Sequence, residues 1–150
     1  MIGSANIFLM KILSLLVGAA LAIALFSGCS AIREVNAGRY NENTKAGESW
    51  LSDQFDPAGV NVAGGWKSSD WGNAVLTQDG RTIGGRLGDY DVKGVASGSR
   101  AYLLLSEGGW NYYSAVLERP LPNVLTGNFS RSIPFVKNFS RPIRLEQIAP

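Results

Sequence analysis

Few side chains in this sequence could do acid–base or nucleophilic chemistry. There is one thiol, Cys29, and no histidine among the 150 residues. A Ser-His-Asp relay, a Cys-His dyad, a histidine zinc site and a histidine pH switch all need an imidazole, so composition excludes each of them. The remaining acids worth weighing are Asp70, Asp79, Asp89, Asp91, Glu107 and Glu118. Asp70, Asp79, Asp89 and Glu107 fall in segments that read as turns, where a carboxylate satisfies backbone donors, and Glu118 ends a strand-like run. Asp89-Tyr90-Asp91 offers too few oxygens for a calcium loop. The expectation is a protein that is not an enzyme, with no catalytic residue, no metal and no cofactor. With 17% charged residues and a net charge of +2, nucleic acid is not an expected partner either.

The thiol has a distinctive setting. Lys11 precedes an apolar run, Ile12 to Phe26 (ILSLLVGAALAIALF), and Ser27-Gly28 lead into Cys29. A run of that length behind a basic residue and ahead of small residues reads as a secretory signal peptide; an uncleaved membrane anchor with an incidental cysteine is the alternative. Leu25-Phe26-Ser27-Gly28-Cys29 resembles the lipobox of bacterial lipoproteins, with Phe26 where that family most often carries Leu. The resemblance implies a signal peptide over residues 1–28, acylation of Cys29 with diacylglycerol and palmitate, and a membrane partner reached through the lipid. Ser30, where an inner-membrane retention signal usually has Asp, implies the periplasmic face of the bacterial outer membrane. Several acyl chains together hold a protein at a bilayer where one does so only weakly. With Cys29 modified no disulfide is available, and the exported body must be held by its core alone.

Residues 29–57 read as the lipidated terminus, a mobile polar tether and a short docking segment. Trp50, Leu51 and Phe55 fall at helical spacing, enough for one turn capping the domain, before Asp56-Pro57-Ala58-Gly59 stops it. From residue 58 to 150 the pattern is period two. Strands are expected from Val60 to Lys67, Trp71 to Gln78, Arg81 to Leu87, Asp91 to Ala96, Arg100 to Ser106, Trp110 to Arg119, Asn123 to Arg131 and Arg141 to Ile148. Pro120 and Pro122 should end the sixth. Eight short antiparallel strands on tight turns predict an all-β, up-and-down meander barrel; a two-sheet sandwich is the alternative. Apolar-x-Gly recurs at Val62-Ala63-Gly64, Ile83-Gly84-Gly85, Val92-Lys93-Gly94 and Leu125-Thr126-Gly127, which suits strands that must bend.

Gly64-Gly65-Trp66, then Trp71-Gly72, then Gly80-Arg81-Thr82-Ile83-Gly84-Gly85 resemble the opening of the calycin barrels, lipocalins and avidin-like proteins among them. The resemblance implies that Trp66 closes one barrel end against an arginine near the final strand, Arg141 or Arg144. The mid-chain T-D-Y of lipocalins is absent, so no ligand residues carry over.

The aromatic residues are the remaining lead. Parity places Leu103, Leu105, Tyr113, Ala115 and Leu117 inward and Tyr102, Leu104, Trp110, Tyr112 and Val116 outward, an outer face too apolar for plain solvent. Packing by the segment around Trp50 and Phe55, contact with a partner or membrane, and a small-molecule pocket would each explain it. Trp66, Trp71, Tyr102, Trp110 and Tyr112 are therefore the candidate ligand or partner contacts. The expected function is a lipid-anchored envelope barrel that binds a small apolar ligand without catalysis. The alternative is an interaction lipoprotein whose barrel surface docks another envelope component.

Overall fold

A computed structural model describes residues 36–148. The expected signal peptide, Cys29 and the start of the tether lie outside the described residues. The chain divides into two compact units, Met1–Tyr40 and Asn41–Pro150. Of the first, residues 36–40 are described; they are helical and exposed.

The second unit opens with helix α1, residues 41–52. Eight strands follow: β1 (Gly64–Ser68), β2 (Gly72–Asp79), β3 (Thr82–Leu87), β4 (Tyr90–Ser97), β5 (Arg100–Glu107), β6 (Trp110–Leu121), β7 (Val124–Ser130) and β8 (Ser140–Gln147), with one 3-10 turn at Lys137–Phe139. Each strand pairs antiparallel with the next, and β1 closes on β8 through Trp66↔Gln147 and Lys67↔Glu146. The result is a closed eight-stranded meander, compatible with a calycin-like fold; the sandwich is excluded.

Period-two patterning explains why these segments are strands and why they close. The inward positions, among them Trp66, Ala74, Leu76, Ile83, Leu87, Leu103, Leu105, Ala115, Leu117, Leu125 and Leu145, are all buried in one cluster. Closure then removes every exposed edge. On β5 and β6 the inward parity is the expected one, with Tyr113 half-buried. Pro120 does not end β6, which continues to Leu121 across a register shift between Glu118 and Leu121. Proline is tolerated there because the ladder is already interrupted.

Two further expectations change. Residues 41–52, expected as tether with one helical turn at its end, are helix throughout. The reason lies in the outer face of the barrel. Asn43, Gly47, Trp50 and Leu51 share one side of α1 at three- and four-residue spacing, and that side meets the outward residues of β5 and β6. Asn43 Nδ2 donates to the Asn111 carbonyl (3.1 Å) and the Asn111 N–H donates to Asn43 Oδ1 (3.2 Å). Gly47 lies so close to Leu104 that a Cβ there would sit 2.8 Å from Leu104 Cδ1, and Leu104 is buried although it points away from the lumen. Trp50 packs edge-on against Tyr102 (ring centroids 5.7 Å). The part of the apolar outer face around Tyr102 and Leu104 is thus covered by the chain's own helix, while Tyr112 stays exposed. Phe55 takes no part and is 77% exposed. Second, the first strand begins at Gly64 rather than Val60, because Val60 to Ala63 find their partners at the barrel end described next.

Candidate functional site

An up-and-down barrel has two unlike ends. The turns after β2, β4 and β6 gather at one end with the lead-in to β1; the turns after β1, β3 and β5 and the long connection after β7 gather at the other.

The first end is shut. Gln78 reaches across it, its Oε1 accepting from the Val62 N–H (2.9 Å) and its Nε2 donating to the Val60 carbonyl (2.9 Å). Val62 and Trp66 are fully buried there, and the Trp66 Nε1–H donates to the Val62 carbonyl (2.9 Å). The Arg119 guanidinium lies 5.3 Å from the Trp66 ring and donates to the carbonyls of Asn61 and Pro122. Trp66 therefore closes the end against an arginine, but that arginine is on β6. Arg141 sits at the opposite end of β8, and Arg144 points outward to Glu146 (3.1 Å).

The second end is open. Its centre is Trp71, just before β2, whose ring meets Phe129 (4.8 Å), Tyr113 (5.0 Å) and Tyr90 (5.8 Å) edge-on. Edge-to-face packing of this kind fixes ring positions through their quadrupoles. Above the cluster opens a cleft of about 530 Å³, lined also by Asp70, Ser130, Arg131, Phe139 and Arg141. Below it the lumen is filled by the buried aliphatic side chains of the core.

Strand parity explains what reaches this mouth. On β7 the inward positions run Leu125, Gly127, Phe129, and the next in phase is Arg131; on β8 they run Leu145, Ile143, Arg141. The lumenal rows of both strands thus end in arginine. The connection 131–139 is held to the barrel wall: Ser114 Oγ donates to the Ser132 carbonyl (2.7 Å), the Ser132 N–H donates to Ser130 Oγ (3.0 Å), and Phe135 stacks on Trp50 (6.5 Å). The Arg131 guanidinium lies 5.9 Å from the Tyr113 ring. A hydrogen bond to Tyr113, with desolvation behind it, raises the Tyr90 phenol above its ordinary value. The mouth presents aromatic edges, a neutral phenol and fixed positive charge. Among the described residues no group of three or more acidic, cysteine or histidine side chains gathers that could hold a metal ion.

The five aromatic candidates are dispersed. Trp71 centres the cleft, and Tyr112, 44% exposed, lies outside its lining with its ring 6.0 Å from that of Tyr90. Trp66 is sealed in the shut end, Tyr102 lies under Trp50, and Trp110 is half-buried at the start of β6. Sequence reasoning passed over Tyr90, Phe129, Phe139 and Arg131 as site residues. The signal that could have found Phe129 and Arg131 was present in the period-two row Leu125, Gly127, Phe129, Arg131, carried one step past the core. Comparison with known protein families, curated proteins and solved structures finds no match to this chain.

Proposed function

We propose that this chain is a non-catalytic binding module of the bacterial cell envelope, held at the membrane by acyl chains on Cys29, with its ligand site at the open mouth of the barrel. The observation that carries the binding reading is the contrast between the two ends. One is plugged by the buried Val62 and Trp66 under the hydrogen-bonded Gln78 and Arg119, while the other leaves half-exposed rings around a cleft within the usual size of small-molecule sites, roughly 300–1,000 Å³. A second cleft, of about 520 Å³ on the outer wall, is a weaker candidate because its Arg100 is already paired with Glu118 (2.7 Å). The filled lumen moves the expected apolar ligand from the barrel interior to its rim. Docking of another envelope component is the second reading, favoured by the 76% exposure of Phe139 at the same rim.

Native mass spectrometry of the full chain, extracted from envelopes in mild detergent, tests the proposal. A small molecule retained by the native chain and lost on Trp71→Ala is the expected result; recovery of the chain with no small molecule but with a stoichiometric envelope protein establishes docking instead. Anchoring has its own check. Cys29→Ser should move the protein from the membrane fraction to the soluble one or block its maturation, and unchanged membrane attachment overturns the lipid anchor. Among the described residues no helix is long and apolar enough to cross a membrane.

A further inference from the structure

We infer that the mouth is selective for a flat apolar or aromatic molecule bearing a carboxylate or a similar planar anion, received by Arg131 and Arg141 while the rings of Trp71 and Phe129 hold its apolar body. This rests on the mouth being the ligand site and adds the chemical class of what it takes.

The inference comes from where the charges stand. Arg131 and Arg141 continue the two inward rows of β7 and β8: Arg141 stands opposite Phe129 in the register, Arg131 follows Phe129 two residues on, just past the end of β7, and both line the cleft. In a barrel of this size inward positions are ordinarily apolar, and both rows obey that up to their last member. Neither arginine forms an ion pair with an acid among the described residues. The ion pairs there are Arg86 with Asp91, Lys93 with Glu48, Arg100 with Glu118 and Arg144 with Glu146. Asp70 is the single acid lining the cleft, so the lining carries a net positive charge. Guanidinium is the side chain whose planar fork matches a carboxylate, and it stays charged at any physiological pH.

The attachment of Arg131 supports a partly preformed receiver. Arg131 lies against the Tyr113 ring at the foot of a connection pinned by Ser114, Ser130 and Trp50, and Arg141 is within β8. The ring contact lowers the ordering a ligand must impose on Arg131, while Arg141 offers its guanidinium from a rigid strand. The neighbouring rings supply the apolar complement and exclude water from one side of the ion contact, where a charge-assisted hydrogen bond counts for more.

Two probes of one shape and different charge decide the matter: 2-naphthoate and its neutral amide, 2-naphthamide. They are titrated calorimetrically into the full chain in one detergent, so that partition into micelles is common to all variants. The native chain should bind the carboxylate about tenfold more tightly than the amide, the size of one charge-assisted hydrogen bond of roughly 1.5 kcal/mol. Arg141→Gln and Arg131→Gln should each remove about tenfold from naphthoate affinity and change naphthamide affinity less than twofold. Trp71→Ala should weaken both probes. Equal binding of the two probes, lost on Trp71→Ala and indifferent to the arginines, overturns the anion selectivity and leaves the mouth as a neutral apolar site. Naphthoate binding that survives Trp71→Ala but follows the arginines shows bare surface charge and overturns the selective site. No binding of either probe overturns the inference, and the proposed ligand site with it if native mass spectrometry also finds no retained molecule. Arg141 is exposed, and its glutamine variant tests the inference even where Arg131→Gln disturbs the connection.

Discussion

Trp66→Ala should lower the unfolding free energy by about 3–5 kcal/mol, the range for removing a large buried aromatic from a packed core. Two contributions act together. The indole is fully buried, so its loss leaves a void bounded by strands that closure prevents from collapsing. Its N–H is also the partner of the Val62 carbonyl, and an orphaned buried carbonyl costs about 1–3 kcal/mol where water does not reach it. Trp66→Phe separates the two. It keeps most of the volume and a ring beneath Arg119 but loses the donor, so the expected loss is near 1–2 kcal/mol. Urea unfolding followed by far-UV circular dichroism reads both; a native-like midpoint for Trp66→Ala contradicts the closure described for this end. A protein of ordinary stability, about 5–15 kcal/mol, should survive the alanine variant folded but with a much reduced margin.

The same end shows what the sequence could and could not reveal. Trp66 was recognisable as an end-closing residue from Gly64-Gly65-Trp66. Its arginine was not, because which strand brings a guanidinium over Trp66 depends on how closure sets β6 against the lead-in to β1, and chain order says nothing about that. Strand positions were legible because inward and outward residues alternate strictly on β2, and tight turns separate the runs. Helix α1 was not legible as a helix. It is polar on most sides, and it is held by a narrow face, Asn43, Gly47, Trp50 and Leu51, whose partners Tyr102, Leu104 and Asn111 lie over fifty residues away. The misfit was nevertheless visible from the barrel side, where Tyr102 and Leu104 made an outer face that something had to cover. At the mouth the difficulty was different. Trp71 drew attention by type, whereas Arg131 read as the end of the seventh strand and Arg141 as a possible partner of Trp66 until strand register placed both in phase with the lumenal rows at the other end.

Gly85→Ala and Gly127→Ala should each cost about 3 kcal/mol or more, because the added methyl meets backbone that has no rotamer to change. A Cβ on Gly85 would lie 2.0 Å from the Val75 carbonyl oxygen, and one on Gly127 would lie 2.0 Å from that of Val116. Gly85 also has φ +127°, a conformation L residues rarely adopt, which adds strain of about 1–3 kcal/mol. Two other glycines separate these causes. Gly72 has φ +76° with open space around its Cβ, so Gly72→Ala should show the conformational cost alone, about 1 kcal/mol. Gly65, whose Cβ would meet only Ile148 Cβ at 3.9 Å, should tolerate alanine with a change below about 0.5 kcal/mol. The expected order of urea midpoints is Gly65→Ala highest, then Gly72→Ala, with the other two lowest; four equal midpoints would show that close strand approach does not set the stability. Gly85 and Gly127 allow neighbouring strands to draw together around the core. That approach, with Trp66 and the aliphatic rows filling the interior, places the space for a ligand at the rim, where Arg131 and Arg141 line the cleft.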